Sequence, residues 1–283
     1  MMITAQKEGV LIDFLTLLSP LSSKTTLRSW VKEGRILVNG ALANRADMPI
    51  FPGQKIELGK KIELIGNRLR VVYQDSHLIA IEKPAGLLSV STAFQKTDTA
   101  HAMLKRHFSP RKIFVVHRLD QDTSGVMLFA LSDEGYRGLK RCFAAHDIER
   151  TYIAIVEGKP DKEKGTWESY LAEDPLYRVY STSDPNEGEL AITHYEVIGE
   201  TATNARLKLK LETGKKNQIR VHCQDHGTPI VGDKKYGAVT DPLNRLCLHA
   251  AFLGLDHPIT SKPLKFVSPP PLGFDRLAPE MKR

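Results

Sequence analysis

A string of polar and glycine residues interrupts two apolar runs near the middle of the chain. The string HRLDQDTSG occupies residues 117–125, and the segments 113–116 and 126–131 on either side are rich in side chains that favour strands. This pattern predicts two short buried strands joined by a tight connection. Because connections at the rim of a sheet often carry function, Asp120 becomes a candidate catalytic carboxylate.

The second half of the string also has an explanation that needs no catalysis. Asp122, Thr123 and Ser124 are residue types that hydrogen-bond to nearby backbone, and Gly125 supplies permissive backbone angles. Asp120 differs, since it follows an apolar strand end and lies beside a basic residue, Arg118. We expect its charge to be partly desolvated and to need a cationic partner.

Short apolar segments separated by turn clusters dominate the chain from Val71 onward, and a proline run near the end predicts an extended tail. Together with helical periodicity, these segments predict an α+β fold whose larger domain is a mixed or antiparallel sheet flanked by helices. The expected strands are 78–82, 113–117, 126–131, 151–157, 190–198 and 205–211, and the expected helices of this part are 98–107, 133–144 and 217–226.

The first part of the chain predicts a separate small α/β domain. Helical spacing over 11–18 and 24–33 is followed by Asn39-Gly40, a signal for a tight hairpin. Residues 1–70 hold eleven Lys or Arg against six Asp or Glu, a net charge of +5 out of +7 for the whole chain. Such an excess suits a polyanion such as RNA, and the candidate contacts form a stripe along the second helix: Lys24, Arg28 and Lys32.

Other classes of protein are disfavoured by composition. No apolar run approaches the ~20 residues needed to cross a bilayer, and the N-terminus lacks the charged-then-apolar order of a signal peptide. We therefore expect a cytoplasmic protein without a membrane partner. We also expect the protein to be monomeric. The three cysteines lie far apart, without a Cys-x-x-Cys pair. His222 and His226 lie four residues apart on an expected helix, but no Glu lies between them in the zinc-protease arrangement, so no metal is expected.

The string at 117–125 resembles the signature of the RluA family of pseudouridine synthases, whose nucleophilic aspartate corresponds to Asp120. The resemblance covers roughly residues 70–270. It places the family's active-site tyrosine at Tyr152, within residues 149–154, and its third motif at 211–222. That motif departs from the family at residues 215–217. The family usually has Arg, then Ser or Thr, then His, whereas this chain has Lys-Lys-Asn. The cationic partner is therefore carried over to Arg220 rather than to Lys215.

Residues 10–59 resemble the alpha-L RNA-binding motif, which is named for a small-subunit ribosomal protein. The two resemblances imply three segments: an RNA-binding domain at 1–62, a linker at 63–70 and a pseudouridine synthase catalytic domain at 71–283. They imply that Lys215 and the basic stripe contact RNA, and that Arg118 fills the gap left by a flipped base.

The chemistry implied by the RluA resemblance fits these residue types and needs no cofactor. Pseudouridine formation breaks the N1–C1′ bond of uridine, turns the uracil and rejoins it through C5. A carboxylate, Asp120, could stabilise the sugar cation or bond covalently. A guanidinium at Arg220 is expected to lower the pKa of that carboxyl group, and Tyr152 to stack on the base, with its hydroxyl assisting proton removal.

The sequence therefore predicts an RNA pseudouridine synthase, with large-subunit ribosomal RNA as the preferred substrate and transfer RNA as an alternative. Two further readings stay open. One is a silent RNA-binding or ribosome-assembly factor on the same scaffold. The other is a glycosidase that releases uracil by hydrolysis.

Overall fold

The computed structural model describes residues 1–43, 45–59, 64–66, 68–92 and 95–281. The chain forms two compact units, Met1–Leu64 and Ile65–Arg283. Within the described residues, no helix is long and apolar enough to span a membrane.

The N-terminal unit combines two helices with short antiparallel strands. Its helices bury one face each, and Ser23 caps the second by accepting a hydrogen bond from the Thr26 backbone. The larger sheet has the order β1-β6-β3-β4, and β2 pairs with β5. The elements are β1 (Met2–Thr4), β2 (Gly9–Val10), α1 (Leu11–Leu18), α2 (Lys24–Lys32), β3 (Ile36–Val38), β4 (Ala41–Leu42), β5 (Pro49–Ile50) and β6 (Lys55–Leu58).

The hairpin expected at Asn39-Gly40 joins β3 to β4. Both residues have positive φ, 50° and 78°, as a two-residue turn of this hand requires. The Asn39 side chain also accepts a hydrogen bond from the backbone of Lys55, at 2.8 Å, which ties the turn to β6.

The second unit is built on one mixed sheet of twelve strands. The strands are β7 (Leu64–Ile65), β8 (Leu69–Gln74), β9 (Leu78–Lys83), β10 (Phe114–Val115), β11 (Ser124–Ala130), β12 (Glu149–Glu157), β13 (Lys164–Glu173), β14 (Val179–Thr182), β15 (Glu189–Glu200), β16 (Asn204–Leu211), β17 (Leu248–Asp256) and β18 (Pro263–Val267). Their order is β14-β13-β15-β16-β12-β17-β11-β9-β8-β7, with β10 added to β11 and β18 to β17. The contact between β11 and β17 is parallel.

Four helices of this unit are α3 (Ala100–His107), α4 (Asp133–Ala144), α5 (Gln218–Asp225) and α6 (Gly273–Leu277). Buried residues of α3, α5 and α6 belong to one apolar cluster, whereas Leu139 of α4 belongs to another. Strand β11 supplies residues to both clusters, and all seven of its residues are buried. The predicted α+β class and the mixed sheet flanked by helices are confirmed.

Three expectations need correction. Residues 63–70 are not simply a linker, because Ile65 and Leu69 are buried in β7 and β8; residues 63 and 67 lie outside the described residues. The chain does not end as an extended tail, because Phe274 of α6 is buried. Gly125 lies in β11 rather than in a loop, and an added Cβ there would lie 2.2 Å from the Ala250 carbonyl oxygen. Because Gly125 has no side chain, β17 can approach β11 closely at this position.

Candidate active site

The loop that carries Asp120 runs from β10 to β11 and is fixed along its length. The Ser89 hydroxyl donates to the Leu119 carbonyl at 2.6 Å and accepts from the Leu119 N–H at 3.1 Å. The Thr123 N–H donates to the Asp120 carbonyl at 3.2 Å, which closes a turn. Asp120 is therefore presented by a connection with little freedom.

The two ends of this loop are also anchored to the sheet. His117 Nε2 accepts from the Leu128 N–H at 2.9 Å, and burial lowers the pKa of this histidine to about 3, so it stays neutral. At the other end the Ser124 hydroxyl lies 2.7 Å from His249 Nδ1 and accepts from Arg245 at 2.7 Å. Buried polar groups thus hold the loop on both sides.

A buried lysine beneath the loop makes three hydrogen bonds. Lys83 Nζ donates to the carbonyls of Pro84, Leu87 and Gln121 at 3.1, 2.6 and 2.8 Å. Three acceptors use all three hydrogens of an ammonium group. Burial lowers the pKa of Lys83 to about 7, and the carboxylates of Asp122 and Asp120 oppose that shift.

Replacing this lysine by methionine is expected to destabilise the protein. Lys83→Met leaves three carbonyls without their shared donor, and we expect a loss of roughly 3 kcal/mol in the free energy of unfolding. Chemical denaturation of the full chain measures it. The exposed Lys105→Met is the matched control and should change stability by less than about 0.5 kcal/mol. Equal stabilities of the two variants would show that the three hydrogen bonds contribute nothing.

A cavity of about 310 Å³ brings together five of the residues that the sequence singled out. Its walls include Asp120, Tyr152, Arg220, Arg118 and Lys215. This volume falls at the lower end of the range for small-ligand pockets. The remaining three candidates, Lys24, Arg28 and Lys32, are exposed on α2 of the N-terminal unit.

Arg220 is oriented by a partner that sequence reasoning did not assign. Its Nε and Nη2 donate to the two oxygens of Asp233, both at 2.7 Å, and the Asp233 side chain is almost wholly buried. Its Nη1 lies 3.7 Å from Asp120, and its guanidinium carbon lies 4.8 Å from the centre of the Tyr236 ring. The guanidinium thus stays charged and faces Asp120 from a fixed position.

Asn217 is the second contact of Asp120, and it lies in the segment that departs from the RluA pattern. Its amide nitrogen donates to the two Asp120 oxygens at 2.8 and 3.2 Å, while its oxygen accepts from the Tyr236 hydroxyl at 3.0 Å. Its backbone is left-handed, with φ 53°, a conformation that asparagine tolerates better than most residues.

The loop before α5 is held by Gln218. Its oxygen accepts from the Thr213 hydroxyl and the Lys215 N–H, and its nitrogen donates to Ile192 and Thr193, at 2.8 to 2.9 Å in each case. Gln218 therefore determines where Lys215 and Asn217 lie.

The pKa of Asp120 is raised overall, although the expected cationic partner lowers it. Burial raises the pKa of this carboxyl group above 3.8 and outweighs the opposing charges of Arg220, Arg118 and Lys83. The side chain still keeps 28% of its surface exposed, toward the cavity. The Arg220 guanidinium lowers this pKa as expected, but the effect of burial is larger.

Tyr152 lies on β12 at a local irregularity. The register with β17 shifts between Thr151 and Tyr152, and such shifts re-aim side chains next to active sites. Its ring is buried in the cavity wall, and burial raises the pKa of its hydroxyl to about 12. At neutral pH the cavity therefore contains a protonated phenol.

Arg150 also lines the cavity, and its role was not predicted. Its Nη2 makes two long contacts of 3.4 Å, to the carbonyls of Glu212 and Thr213, and its buried Nε has no hydrogen-bond partner among the described residues. A half-buried guanidinium with spare donors can bind an oxygen of a ligand.

His222 on α5 and His226 just after it make contacts within the fold. His222 lies 2.9 Å from the Thr193 hydroxyl and 3.1 Å from the Ser169 hydroxyl, and His226 stacks on Trp167 at 4.9 Å between ring centres. Among the described parts of the chain, no group of three or more His, Cys, Asp or Glu side chains is arranged to hold a metal ion. Cys223 and Cys247 are buried thiols, whereas Cys142 is half-buried.

Comparison with known proteins gives consistent results. The family model for RNA pseudouridylate synthase matches residues 77–225. Ribosomal large subunit pseudouridine synthase D of Pseudomonas aeruginosa is 32% identical over 91% of this chain and 87% of that protein. An uncharacterized RNA pseudouridine synthase of Bacillus subtilis, YhcT, is 32% identical over 90% of this chain and 88% of its own length.

A solved structure shares the fold. Human RNA pseudouridylate synthase domain containing 4 aligns with a TM-score of 0.60 and 24% identity, over 74% of this chain and 91% of that chain. The family model spans both flanking strands of the Asp120 loop and the cavity residues Asp120, Tyr152 and Arg220. This chain therefore belongs to the RNA pseudouridylate synthase family, as an RluA-type isomerase that converts uridine in RNA to pseudouridine.

Proposed function

We propose that this chain modifies uridines of large-subunit ribosomal RNA, with Asp120 as the catalytic nucleophile. The observation that supports this proposal is that Asp120, Arg220 and Tyr152 line the same cavity, in which Asp120 lies 3.7 Å from Arg220. The ribosomal substrate is inferred from the relatives of the D type in Pseudomonas aeruginosa and Vibrio cholerae, which are named for the large ribosomal subunit.

In this proposal the Asp120 carboxylate acts on the target nucleotide after it leaves the helical stack. The N1–C1′ bond breaks, the uracil turns, and C5 bonds to C1′ while the proton on C5 is lost and N1 gains one. No atom is added overall and nothing is oxidised. A carboxylate serves by stabilising the sugar cation or by forming a transient covalent bond, whether at C1′ or at another ring atom.

Arg220 and Asn217 are proposed to keep Asp120 reactive. Arg220 supplies a fixed positive charge 3.7 Å away, and Asn217 donates hydrogen bonds to the carboxylate. Both interactions favour the ionised form, which burial disfavours. Neither side chain needs to move when the charge on Asp120 changes during the reaction.

Tyr152 is proposed to act through its ring. A pKa of about 12 makes its hydroxyl a poor base at neutral pH, so we assign it stacking on the uracil rather than proton removal. Arg118 is exposed at the cavity wall and is proposed to occupy the space of the extruded base.

The N-terminal unit is proposed to be the alpha-L RNA-binding domain, with Lys24, Arg28 and Lys32 of α2 contacting phosphates. All three are exposed, whereas Leu27 and Val31 of the same helix are buried. The helix thus presents its basic stripe away from its apolar face.

The proposed substrate is tested with purified full-length chain and two transcripts, large-subunit ribosomal RNA and transfer RNA. We expect pseudouridine at discrete positions of the ribosomal transcript and none in the transfer RNA, with no free uracil released. Pseudouridine in the transfer RNA alone would overturn the ribosomal assignment. Stoichiometric free uracil would identify hydrolysis instead of isomerisation.

The pH dependence of turnover should reveal the raised pKa of Asp120. The ionised carboxylate is the reactive form, so the rate falls as pH drops through this pKa, at a higher pH than an ordinary aspartate with pKa 3.8 would give. Single-turnover rates measured across the acid range check this. An acid limb at or below the ordinary value would contradict the role of burial.

Replacing the basic stripe should weaken binding without changing the target uridine. In Lys24→Ala/Arg28→Ala/Lys32→Ala, we expect the slope of log affinity against log salt to fall by roughly one unit per lost phosphate contact, up to about three. Filter binding at several salt concentrations measures it. Turnover at saturating RNA should survive. An unchanged salt slope would show that this stripe is only a solvated helix face and makes no phosphate contacts.

A further inference from the structure

The turn between β13 and β14 presents aromatic rings to solvent. Tyr177 in the turn is 73% exposed and Tyr180 on β14 is 37% exposed, and no other Phe, Tyr or Trp side chain among the described residues is exposed. Leu176 at the same turn is 85% exposed. An exposed ring contributes nothing to an apolar core, so folding does not explain this cluster.

The turn holds Tyr177 in a fixed and unfavourable backbone conformation. The Asp174 carboxylate accepts the N–H groups of Leu176 and Arg178 at 2.9 and 2.8 Å, and the Tyr177 N–H donates to the Asp174 carbonyl at 2.9 Å. The φ of Tyr177 is 61°, a region that suits glycine or asparagine. Neither burial nor backbone preference therefore favours tyrosine here.

One lysine lies near the exposed ring, and a second contacts the backbone of the same residue. Lys216 Nζ lies 5.7 Å from its centre, and Lys235 Nζ donates to the Tyr177 carbonyl at 3.4 Å. Lys216 also pairs with Glu173, but both of those side chains are more than a third exposed, so this pairing is weak enough for a phosphate to replace. An aromatic ring among cations is the arrangement that binds single-stranded nucleic acid.

The cluster continues into the active-site cavity. Lys216 lies in the chain between two residues that line the cavity, Lys215 and Asn217. Arg178, which follows Tyr177, lies 5.8 Å from the Tyr236 ring centre, and Arg220 stacks on that same ring at 4.8 Å. A strand of RNA that delivers a nucleotide to Asp120 would therefore pass this turn.

We propose that Tyr177 is a stacking platform for the unpaired base of a nucleotide near the target uridine, with Lys216 and Lys235 contacting the adjoining phosphates. The proposal rests on the proposed function, since it assumes that RNA enters this cavity. Extrusion of the target leaves neighbouring bases unstacked, and an aromatic ring restores one stacking contact. Because every base has a π-face, this contact tolerates any sequence.

The platform is tested by the binding of fluorescein-labelled octauridylate to the full chain. Tyr177→Ala should weaken binding by roughly 5-fold to 150-fold, the range for loss of one base–aromatic stack, while Tyr177→Phe stays within about twofold. Tyr177→Gly suits the backbone and should bind as weakly as Tyr177→Ala while melting no lower than the parent, which excludes misfolding. The matched control is Val239→Ala, which trims another exposed apolar side chain.

Salt dependence and kinetics separate the roles. Tyr177→Ala should leave the salt slope unchanged, whereas Lys216→Ala should lower it by about one unit. On ribosomal RNA, Tyr177→Ala should raise KM and leave kcat unchanged. Equal affinities of the alanine and phenylalanine variants would overturn the platform.

The two proposals fail in different ways. If the parent forms no pseudouridine in ribosomal RNA but octauridylate binding still depends on Tyr177, the substrate is wrong and the platform stands. If the parent turns over and Tyr177→Ala changes neither KM nor octauridylate binding, the platform is wrong and the function stands.

Discussion

Asp120→Asn is expected to slow pseudouridine formation by a factor on the order of 10⁴ or more and to leave RNA binding within a few-fold of the parent. The amide keeps the shape of the side chain but cannot attack the nucleotide or stabilise the sugar cation. Its oxygen can still accept a hydrogen bond from Asn217, so the loop stays in place. Single-turnover rates with excess enzyme measure the chemical step separately from binding.

The matched control for this variant is Asp122→Asn, two residues along the same turn. Asp122 is exposed and does not line the cavity that contains Asp120. It should retain activity within about tenfold. Measurable turnover by Asp120→Asn, above that of a reaction without enzyme, would remove Asp120 from the role of nucleophile.

Asp233→Asn is expected to cost both stability and activity, although Asp233 does not line the cavity with Asp120. The change breaks the bidentate pair with Arg220 and leaves a buried guanidinium half-satisfied. Breaking one side of a buried pair costs about 3–5 kcal/mol, which for a unit of this size lowers the melting temperature by roughly 10 °C. Thermal unfolding of the full chain measures it.

Two further variants separate structure from catalysis. Arg220→Met combined with Asp233→Leu replaces the ion pair by apolar side chains and should recover most of the lost stability, yet it should stay inactive because the guanidinium fixed 3.7 Å from Asp120 is gone. Glu200→Gln removes one side of the exposed pair with Lys159 and should change stability by less than about 1 kcal/mol. A stable and active Asp233→Asn would show that Arg220 is positioned without this carboxylate.

Most of the helices and strands could be predicted because local sequence patterns indicate them. Apolar periodicity predicted α1, α2 and α4, and in the structure Ser132 caps α4. Strands β8, β13, β14, β17 and β18 were not among the expected strands. β13, for example, is polar on its exposed face.

The side chains proposed to carry out the chemistry could be predicted from the sequence, but the contacts that orient them could not. Asp120, Tyr152 and Arg220 followed from the resemblance, and they line one cavity. Asp233 lies thirteen residues from Arg220, and nothing in its own segment indicated the pair. The Asn217 contact with Asp120 depends on a left-handed residue at the start of α5, which only the fold reveals. That burial outweighs the nearby cations at Asp120 likewise depends on tertiary packing.

The most direct test of the central claim is a map of pseudouridines in large-subunit ribosomal RNA from cells that lack this protein. We expect one or more positions to revert to uridine, to be restored by the parent chain and not by Asp120→Asn expressed at the same level. A map in which every pseudouridine persists without the protein, or in which Asp120→Asn restores the lost positions, would contradict the account.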